Sequence, residues 1–150
     1  MKTLFTDASF DYHSTNKTKD NIVRGKIAIS DGKDFKLIEK VAMGKVENLQ
    51  QYINVFELIA IARAIEVACN MEGEKSLSIH TDSQVALTWA IKGDIKAGIK
   101  TLAHVSALNY LRRTKIQYGG IVTISFVPRE SNPAGHLLEK ELEREAPHAQ

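Results

Sequence analysis

KTLFTDAS, residues 2–9, is a short apolar run that leads into the carboxylate of Asp7. Its apolar and β-branched residues predict a strand over Lys2–Thr6. Two later motifs share this character, because each places a carboxylate where a regular element begins or ends. They are NVFEL at 54–58, which opens an alanine-rich helical pattern and carries Glu57, and HTDSQ at 80–84, which leaves a β-like run and carries Asp82.

The order of these three carboxylates matters more than any one of them. Singly, Asp7 and Asp82 are ordinary strand ends, and Glu57 suits the first turn of a helix. Together they predict an anionic pocket, whose common use is to hold hard divalent cations through oxygen ligands. We expect Asp7 to bridge two such ions, because it lies on the first strand between the other two ligands.

Composition limits the classes of protein to be considered. The chain has 150 residues, of which 43% are hydrophobic and 25% charged, which predicts one globular domain over 1–145 and a short tail at 146–150. No apolar stretch is long enough to span a bilayer. Cys69 is the single cysteine, which is typical of a cytoplasmic protein, and we expect it to be buried. The net charge of +2 permits nucleic-acid binding without arguing for it.

Hydrophobic periodicity predicts an α/β domain with the element order β-β-β-α-β-α-α-β-α. Asp31-Gly32 is a hairpin signal between the second and third strands. The first helix has apolar residues at 58, 61, 62, 65 and 68, and the third helix bears Leu102, Val105, Leu108 and Leu111. The predicted strands are 2–6, 21–30, 35–43, 77–81 and 121–127, and the predicted helices are 54–71, 83–91, 100–115 and 133–144. This order predicts a mixed five-stranded sheet with helices on both faces.

From about Leu4 to Glu143 the sequence resembles type 1 ribonuclease H, the family that cuts the RNA strand of RNA–DNA hybrids. The resemblance rests on Thr-Asp-x-Ser at the first strand, Asn-x-x-Glu-Leu at the first helix and Thr-Asp-Ser-Gln after the fourth strand. It implies a ribonuclease H-like fold and a monomeric hydrolase that uses two divalent ions, Mg²⁺ or Mn²⁺. Asp7, Glu57 and Asp82 match the first three of the family's four acidic ligands.

The fourth ligand position departs from the family pattern. The family has an aspartate four residues after an asparagine, and Asn132 is followed at that distance by His136. His136 as catalytic residue and metal ligand would favour Mn²⁺, because imidazole nitrogen suits magnesium poorly. Two other interpretations are open: Glu139, one turn further along the helix, takes over the role, or the site is degenerate.

Two surrounding loops also depart from the family. The loop 127–131 lacks the family's mobile histidine, which leaves Arg129, Glu130, His136 or water to handle protons. The sequence 10–16 lacks the family's glycine-rich turn.

Candidate contacts to a hybrid follow from the resemblance. Ser9, Asn54, Gln84 and Asn132 match positions beside the metal site or the minor groove, and Arg112 and Arg113 lie in a basic segment that resembles a handle for the DNA strand. The plainer interpretations are helix caps for both asparagines, a solvated helix residue for Gln84 and a solvated helix face for the basic segment. Trp89 is predicted to be a core residue.

The sequence therefore predicts a hybrid-cleaving endoribonuclease. The alternatives are a catalytically weakened nucleic-acid-binding module of the same fold and a protein-interaction domain.

Overall fold

The computed structural model of the protein describes residues 1–11, 23–43, 52–95 and 101–145. Within these ranges the strands are β1 (Lys2–Asp11), β2 (Val23–Ser30), β3 (Lys36–Met43), β4 (Ser76–Thr81) and β5 (Ile121–Phe126), and the helices are α1 (Tyr52–Ala68), α2 (Gln84–Lys92), α3 (Leu102–Tyr118) and α4 (Pro133–Glu145). A 3-10 turn, Arg129–Ser131, precedes α4. The predicted order of elements is confirmed.

The five strands form one mixed sheet in the order β3-β2-β1-β4-β5. β1 is antiparallel to β2 and parallel to β4, while β2 and β3 are antiparallel and β4 and β5 parallel. The predicted hairpin joins β2 to β3, where Asp31 Oδ1 accepts hydrogen bonds from the amides of Lys33 and Phe35. Gly32 has φ +81° in this turn, a conformation that glycine adopts without the strain of a side chain.

Helices cover both faces of the sheet, as the alternation of side chains along β2 requires. Ile27 and Ile29 join the large core formed with α1, whereas Ala28 packs on the other face against Ala134 and Leu138 of α4. The apolar residues whose helical spacing defines one face of α1 are fully buried. Val55, Ala60 and Ala64, on other sides of the helix, are fully buried as well. A helix buried on nearly every side lies inside the protein, here between the sheet and α3.

β1 is longer than predicted. The apolar run ends at Thr6, but β1 continues to Asp11 because its antiparallel pairing with β2 extends to Asp11 and Arg24. Hydrogen bonding to a neighbouring strand, rather than hydrophobicity, carries the strand past Asp7.

The buried face of α3 includes two of the four residues that the sequence predicts for it. Leu102 and Val105 are exposed, whereas Leu108 and Leu111 are buried. The helix instead buries His104, whose ring accepts from the Thr101 amide in a capping box. The buried face is Ala103, His104, Ala107, Leu108, Leu111, Thr114 and Tyr118.

Several predictions lie outside the described residues. These are the start of the second strand at 21–22, the start of the third helix at residue 100 and the tail at 146–150. Trp89 is a core residue as predicted, while Cys69 is partly buried against the core. Among the described helices, none has the length and apolar character needed to cross a membrane.

Isoleucines at two helix positions test the assignment of the core. Ile61 in α1 is 0% exposed and Ile116 in α3 is 80% exposed. We expect Ile61→Ala to lower the free energy of unfolding by about 2–5 kcal/mol, because it leaves a cavity. Ile116→Ala, the matched control, should change it by less than about 0.5 kcal/mol. Urea unfolding measures both values, and similar losses would contradict this placement of α1 and α3.

Candidate metal centre

Strand register brings Asp7 and Asp82 together. The last pair between the parallel strands β1 and β4 is Thr6 with Thr81, so the next residues along the two strands are the two aspartates. β4 ends at this point, and Ser83 caps α2 by accepting a hydrogen bond from the amide of Ala86. β1 continues beside β2 alone. The two strands separate at the carboxyl end of β4, where open α/β sheets commonly bind ligands.

Glu57 enters the same space from α1. Because α1 begins at Tyr52, Glu57 lies beyond the first turn, and the prediction that it belongs to that turn is wrong. Its Oε1 accepts a hydrogen bond from the amide of Ala8 at 3.0 Å. Ala8 lies beyond the last pair between β1 and β4. Its amide therefore donates to the Glu57 carboxylate rather than to a residue of β4. Glu57 Oε2 is buried and has no hydrogen-bond partner among the described residues.

The three carboxylates form one cluster. An oxygen from each of Asp7, Glu57 and Asp82 lies within 4.8 Å of the others. Asp7 is 8% exposed and Glu57 4% exposed, while Asp82 is partly buried. Buried like charges are costly unless a cation neutralises them. The three anionic oxygens and the unpartnered Glu57 Oε2 therefore fit a divalent metal, which binds hard oxygen ligands of this kind.

Burial sets the protonation of the metal-free cluster. It raises the pKa of Asp7 to about 6, an effect opposed by a hydrogen bond with Glu57 and increased by the nearby charge of Asp82. The positive charge of Arg129 lowers the pKa of Asp7 in turn. Burial, followed by the charge of Asp7, raises the pKa of Glu57 well above its ordinary value. Without metal, the cluster therefore retains protons that ordinary carboxyl groups release.

The last helix closes the site from the other face of the sheet. A Cβ added at Gly135 of α4 would lie 3.1 Å from Asp7 Oδ2 and 3.8 Å from Asp82 Oδ2. Beside Asp7 is a pocket of about 290 Å³. Its lining is Asp7, Ala8, Ser9, Phe10, Ile53, Arg129, Gly135, Leu138, Glu139 and Leu142. Carboxylates, a guanidinium and an apolar wall thus meet in one concave surface.

Comparison with solved structures identifies the architecture. RNase H1 from the halophilic archaeon Halobacterium salinarum NRC-1 is similar over 95% of this chain and 97% of its own, with a TM-score of 0.60 and 14% identity. LC11-RNase H1, isolated from compost by a metagenomic approach, is similar over 96% of this chain and 98% of its own, with a TM-score of 0.59 and 19% identity. The fold of this chain is ribonuclease H-like.

The conclusion applies to the fold alone, because the solved structures have low sequence identity to this chain. The structure of LC11-RNase H1 in complex with RNA/DNA hybrid has a TM-score of 0.57 and 18% identity to this chain, and covers 93% of it and 98% of its own length. No protein-family model matches the sequence, and no curated protein matches it significantly.

Asn132 caps the last helix of this ribonuclease H-like domain, as predicted, and also contacts the carboxylate cluster. It is fully buried, so no face of it is open to a nucleic acid. Its Nδ2 donates to Thr6 O at 3.0 Å and to Asp82 Oδ2 at 3.1 Å. Its Oδ1 accepts from the amide of Ala134, which is the predicted cap of the last helix. Asn132 therefore orients Asp82 and joins α4 to β1.

His136 is not among the side chains that the described structure brings together at the site. Its side chain is exposed on α4, and it belongs neither to the cluster of candidate ligands nor to the pocket lining. Glu139, also exposed, does line the pocket with Asp7.

The predicted nucleic-acid contacts differ in their exposure to solvent. Ser9 lines the pocket and Asn54 is a partly buried residue inside α1, which excludes it as an N-cap. Gln84 is exposed at the start of α2. Arg112 donates to the carbonyl of Gly93, and Arg113 stacks over the Tyr110 ring at 5.7 Å. Both arginines are exposed.

Sequence reasoning missed Gly135 and the amide of Ala8. A glycine inside a helix costs about 1 kcal/mol relative to alanine, which is a signal of close approach when it occurs there. Gly135 therefore carried a usable signal. The amide of Ala8 carried none, because every residue other than proline has one.

Asp7→Asn should stabilise the metal-free protein at neutral pH. The pKa of Asp7 is about 6 in the folded protein, whereas its ordinary value is 3.8. Protonated Asp7 therefore stabilises the fold fully below the ordinary pKa, and this stabilisation is lost as the pH rises through the folded-state pKa. We expect the variant to melt above the wild type near pH ~7.5 in EDTA, and the difference to shrink towards pH ~4.

Thermal melts over this pH range measure the effect, with exposed Asp34→Asn as the control. A variant that melts below the wild type at neutral pH would assign Asp7 a structural role.

Proposed function

We propose that this protein is a metal-dependent endonuclease that hydrolyses the RNA strand of RNA–DNA hybrids. The observation that carries the proposal is the cluster of Asp7, Glu57 and Asp82 within 4.8 Å, at the carboxyl edge of a ribonuclease H-like sheet. The fold of the protein is similar to that of LC11-RNase H1, which has been solved in complex with RNA/DNA hybrid. Identity to that protein is 18%, so the activity of this chain rests on its own site.

Asp7, Glu57 and Asp82 would hold two divalent ions. When bound, such ions lower the pKa of a water nucleophile and stabilise the charge of the leaving oxygen. The chain itself fixes the ligands before metal arrives. The amide of Ala8 orients Glu57, and the amide group of Asn132 orients Asp82. Preorganised ligands of this kind require little rearrangement on binding.

Arg129 gives the pocket a cation beside the carboxylates. Its guanidinium lies near enough to Asp7 to lower the pKa of that residue. A phosphodiester that approaches the cluster brings negative charge, and an exposed guanidinium can donate hydrogen bonds to its oxygens. Arg129 would therefore orient the scissile phosphate against the repulsion of the acidic cluster.

Recognition of the hybrid would use polar groups that are at least partly exposed to solvent. Ser9, Asn54 and Gln84 are proposed to contact the minor groove, where A-like duplexes present the 2′-hydroxyls of RNA. Arg112 and Arg113 on α3 are proposed to contact the phosphates of the DNA strand. The Arg112 hydrogen bond to Gly93 fixes this side chain on the surface between α2 and α3.

One observation favours a second candidate function, a weakened nucleic-acid-binding module. The family's fourth acidic position holds His136, whose side chain is exposed and outside the carboxylate cluster. A site with three carboxylates offsets less of the charge of two dications than a site with four. Binding of hybrid without cleavage would support this function.

A gel assay with a labelled hybrid tests the two functions directly. We expect cleavage with Mg²⁺ or Mn²⁺ and none in EDTA, and preference for the hybrid over double-stranded RNA or DNA. Asp7→Asn should reduce the rate by about 100-fold or more, since loss of even an outer-shell partner costs 10–100-fold. A nitrogen ligand from His136 would raise activity with Mn²⁺ relative to Mg²⁺. Cleavage by Asp7→Asn at the wild-type rate would refute the two-metal assignment.

The salt dependence of binding tests the basic surface of α3. Each phosphate contact contributes about 0.9 to the slope of log affinity against log salt concentration. Replacing Arg112 and Arg113 together by alanine should therefore flatten the slope by about 2. The double variant Lys33→Ala/Lys36→Ala removes the same charge from exposed positions at the β2–β3 hairpin and should leave the slope unchanged. Equal slopes for all three proteins would assign the arginines to a solvated helix face.

A further inference from the structure

Contacts with the sheet fix the rotation of α4. Ala134 and Leu138, one turn apart, pack against Ala28 of β2. One turn further on, Glu141 forms an ion pair with Lys26 at 3.8 Å, and Lys26 is 9% exposed. Residues three and four apart lie on one face of a helix, so this series defines the face turned to the sheet.

A second face of α4 is turned to the carboxylate cluster. Gly135 meets Asp7 Oδ2 so closely that an added Cβ would lie 3.1 Å away. Glu139 follows Gly135 by four residues and lines the same pocket as Asp7. Cα–Cβ bonds in a helix tilt towards its N-terminus, so the side chain of Glu139 leans back over the turn that contains Gly135. Glu139 therefore lies in the pocket wall, one helical turn from the residue that meets Asp7.

The carboxylate of Glu139 is not committed to another contact within the described part of the chain. It forms no hydrogen bond or ion pair with any residue in those ranges, whereas Glu141 on the same helix pairs with both Lys26 and Arg144. Gly135, which has no side chain, places no Cβ against Asp7 Oδ2. A carboxylate in the pocket wall without another partner suits a ligand that moves in when a cation arrives.

His136 lies near Glu139 on α4, because residues three apart are neighbours on a helix. Both side chains are exposed, but Glu139 lines the pocket beside Asp7 and His136 does not. A neutral imidazole would also add no negative charge to a site that has to balance two dications.

We propose that Glu139, rather than His136, supplies the fourth metal-binding carboxylate of this protein. The proposal rests on the two-ion centre proposed above. Asp7, Glu57 and Asp82 carry three negative charges, and a fourth carboxylate balances the charge of two divalent ions. Affinity for such ions depends on the number of charged ligands, so Glu139 determines how tightly the second ion binds.

Metal titration by calorimetry, in the absence of nucleic acid, tests this assignment. We expect Glu139→Gln to weaken the second Mg²⁺ or Mn²⁺ binding event by about 10-fold or more. Glu143→Gln is the matched control, because it makes the same chemical change at another exposed position of α4. It should bind both ions as the wild type does. An unchanged Glu139→Gln titration, or a loss found instead in His136→Ala, would overturn the assignment.

Electron spin-echo spectroscopy of bound Mn²⁺ gives a readout independent of affinity. Modulation from ¹⁴N should be absent if all the protein ligands are oxygen atoms. A ¹⁴N signal that His136→Ala removes would overturn the proposal, because it would place an imidazole on the metal.

The same experiments separate this proposal from the proposed function. If the wild type binds no divalent ion, both fail. If it binds metal and cleaves hybrid but Glu139→Gln is unchanged, the assignment of Glu139 alone fails.

Discussion

Repulsion among three converging carboxylates is the constraint on which the rest of this structure depends. Asp7, Glu57 and Asp82 come from three different elements, and their oxygens meet within 4.8 Å. Burial makes the arrangement more costly, which is why the pKa values of Asp7 and Glu57 are raised. A protein keeps such a cluster when the remaining fold holds it rigidly and when a cation can relieve the repulsion.

The fold holds Glu57 and Asp82 through hydrogen bonds that connect them to the backbone of β1. Glu57 accepts from the amide of Ala8, and Asn132 joins the carbonyl of Thr6 to the carboxylate of Asp82. Both contacts use backbone groups of β1 that lie where its pairing with β4 ends. The separation of two parallel strands therefore provides the space for the site and the polar groups that order it.

Helix α4 has two roles that place opposite demands on its sequence. It covers the sheet through Ala134 and Leu138, which requires small and apolar residues on one side. It also approaches the carboxylates so closely that a residue without a side chain, Gly135, stands there. Asn132 begins the helix and also orients a candidate ligand, so the start of α4 and the geometry of the site are coupled. Changes that shift this helix would act on the site even without touching a carboxylate.

The sequence by itself determined the order of elements, the hairpin at Asp31-Gly32 and the three carboxylates, because periodicity, turn chemistry and motif spacing are local properties. It also identified Asn132 as a helix cap, since capping depends on adjacent residues. Only the tertiary structure decided that β1 continues past Asp7, because the partner that extends it is β2. The buried face of α3 and the direction of His136 likewise depend on the rotation of whole helices, which packing against distant residues fixes. Which side chains of α4 reach Asp7 is therefore a property of the assembled sheet and helix, and no local pattern records it.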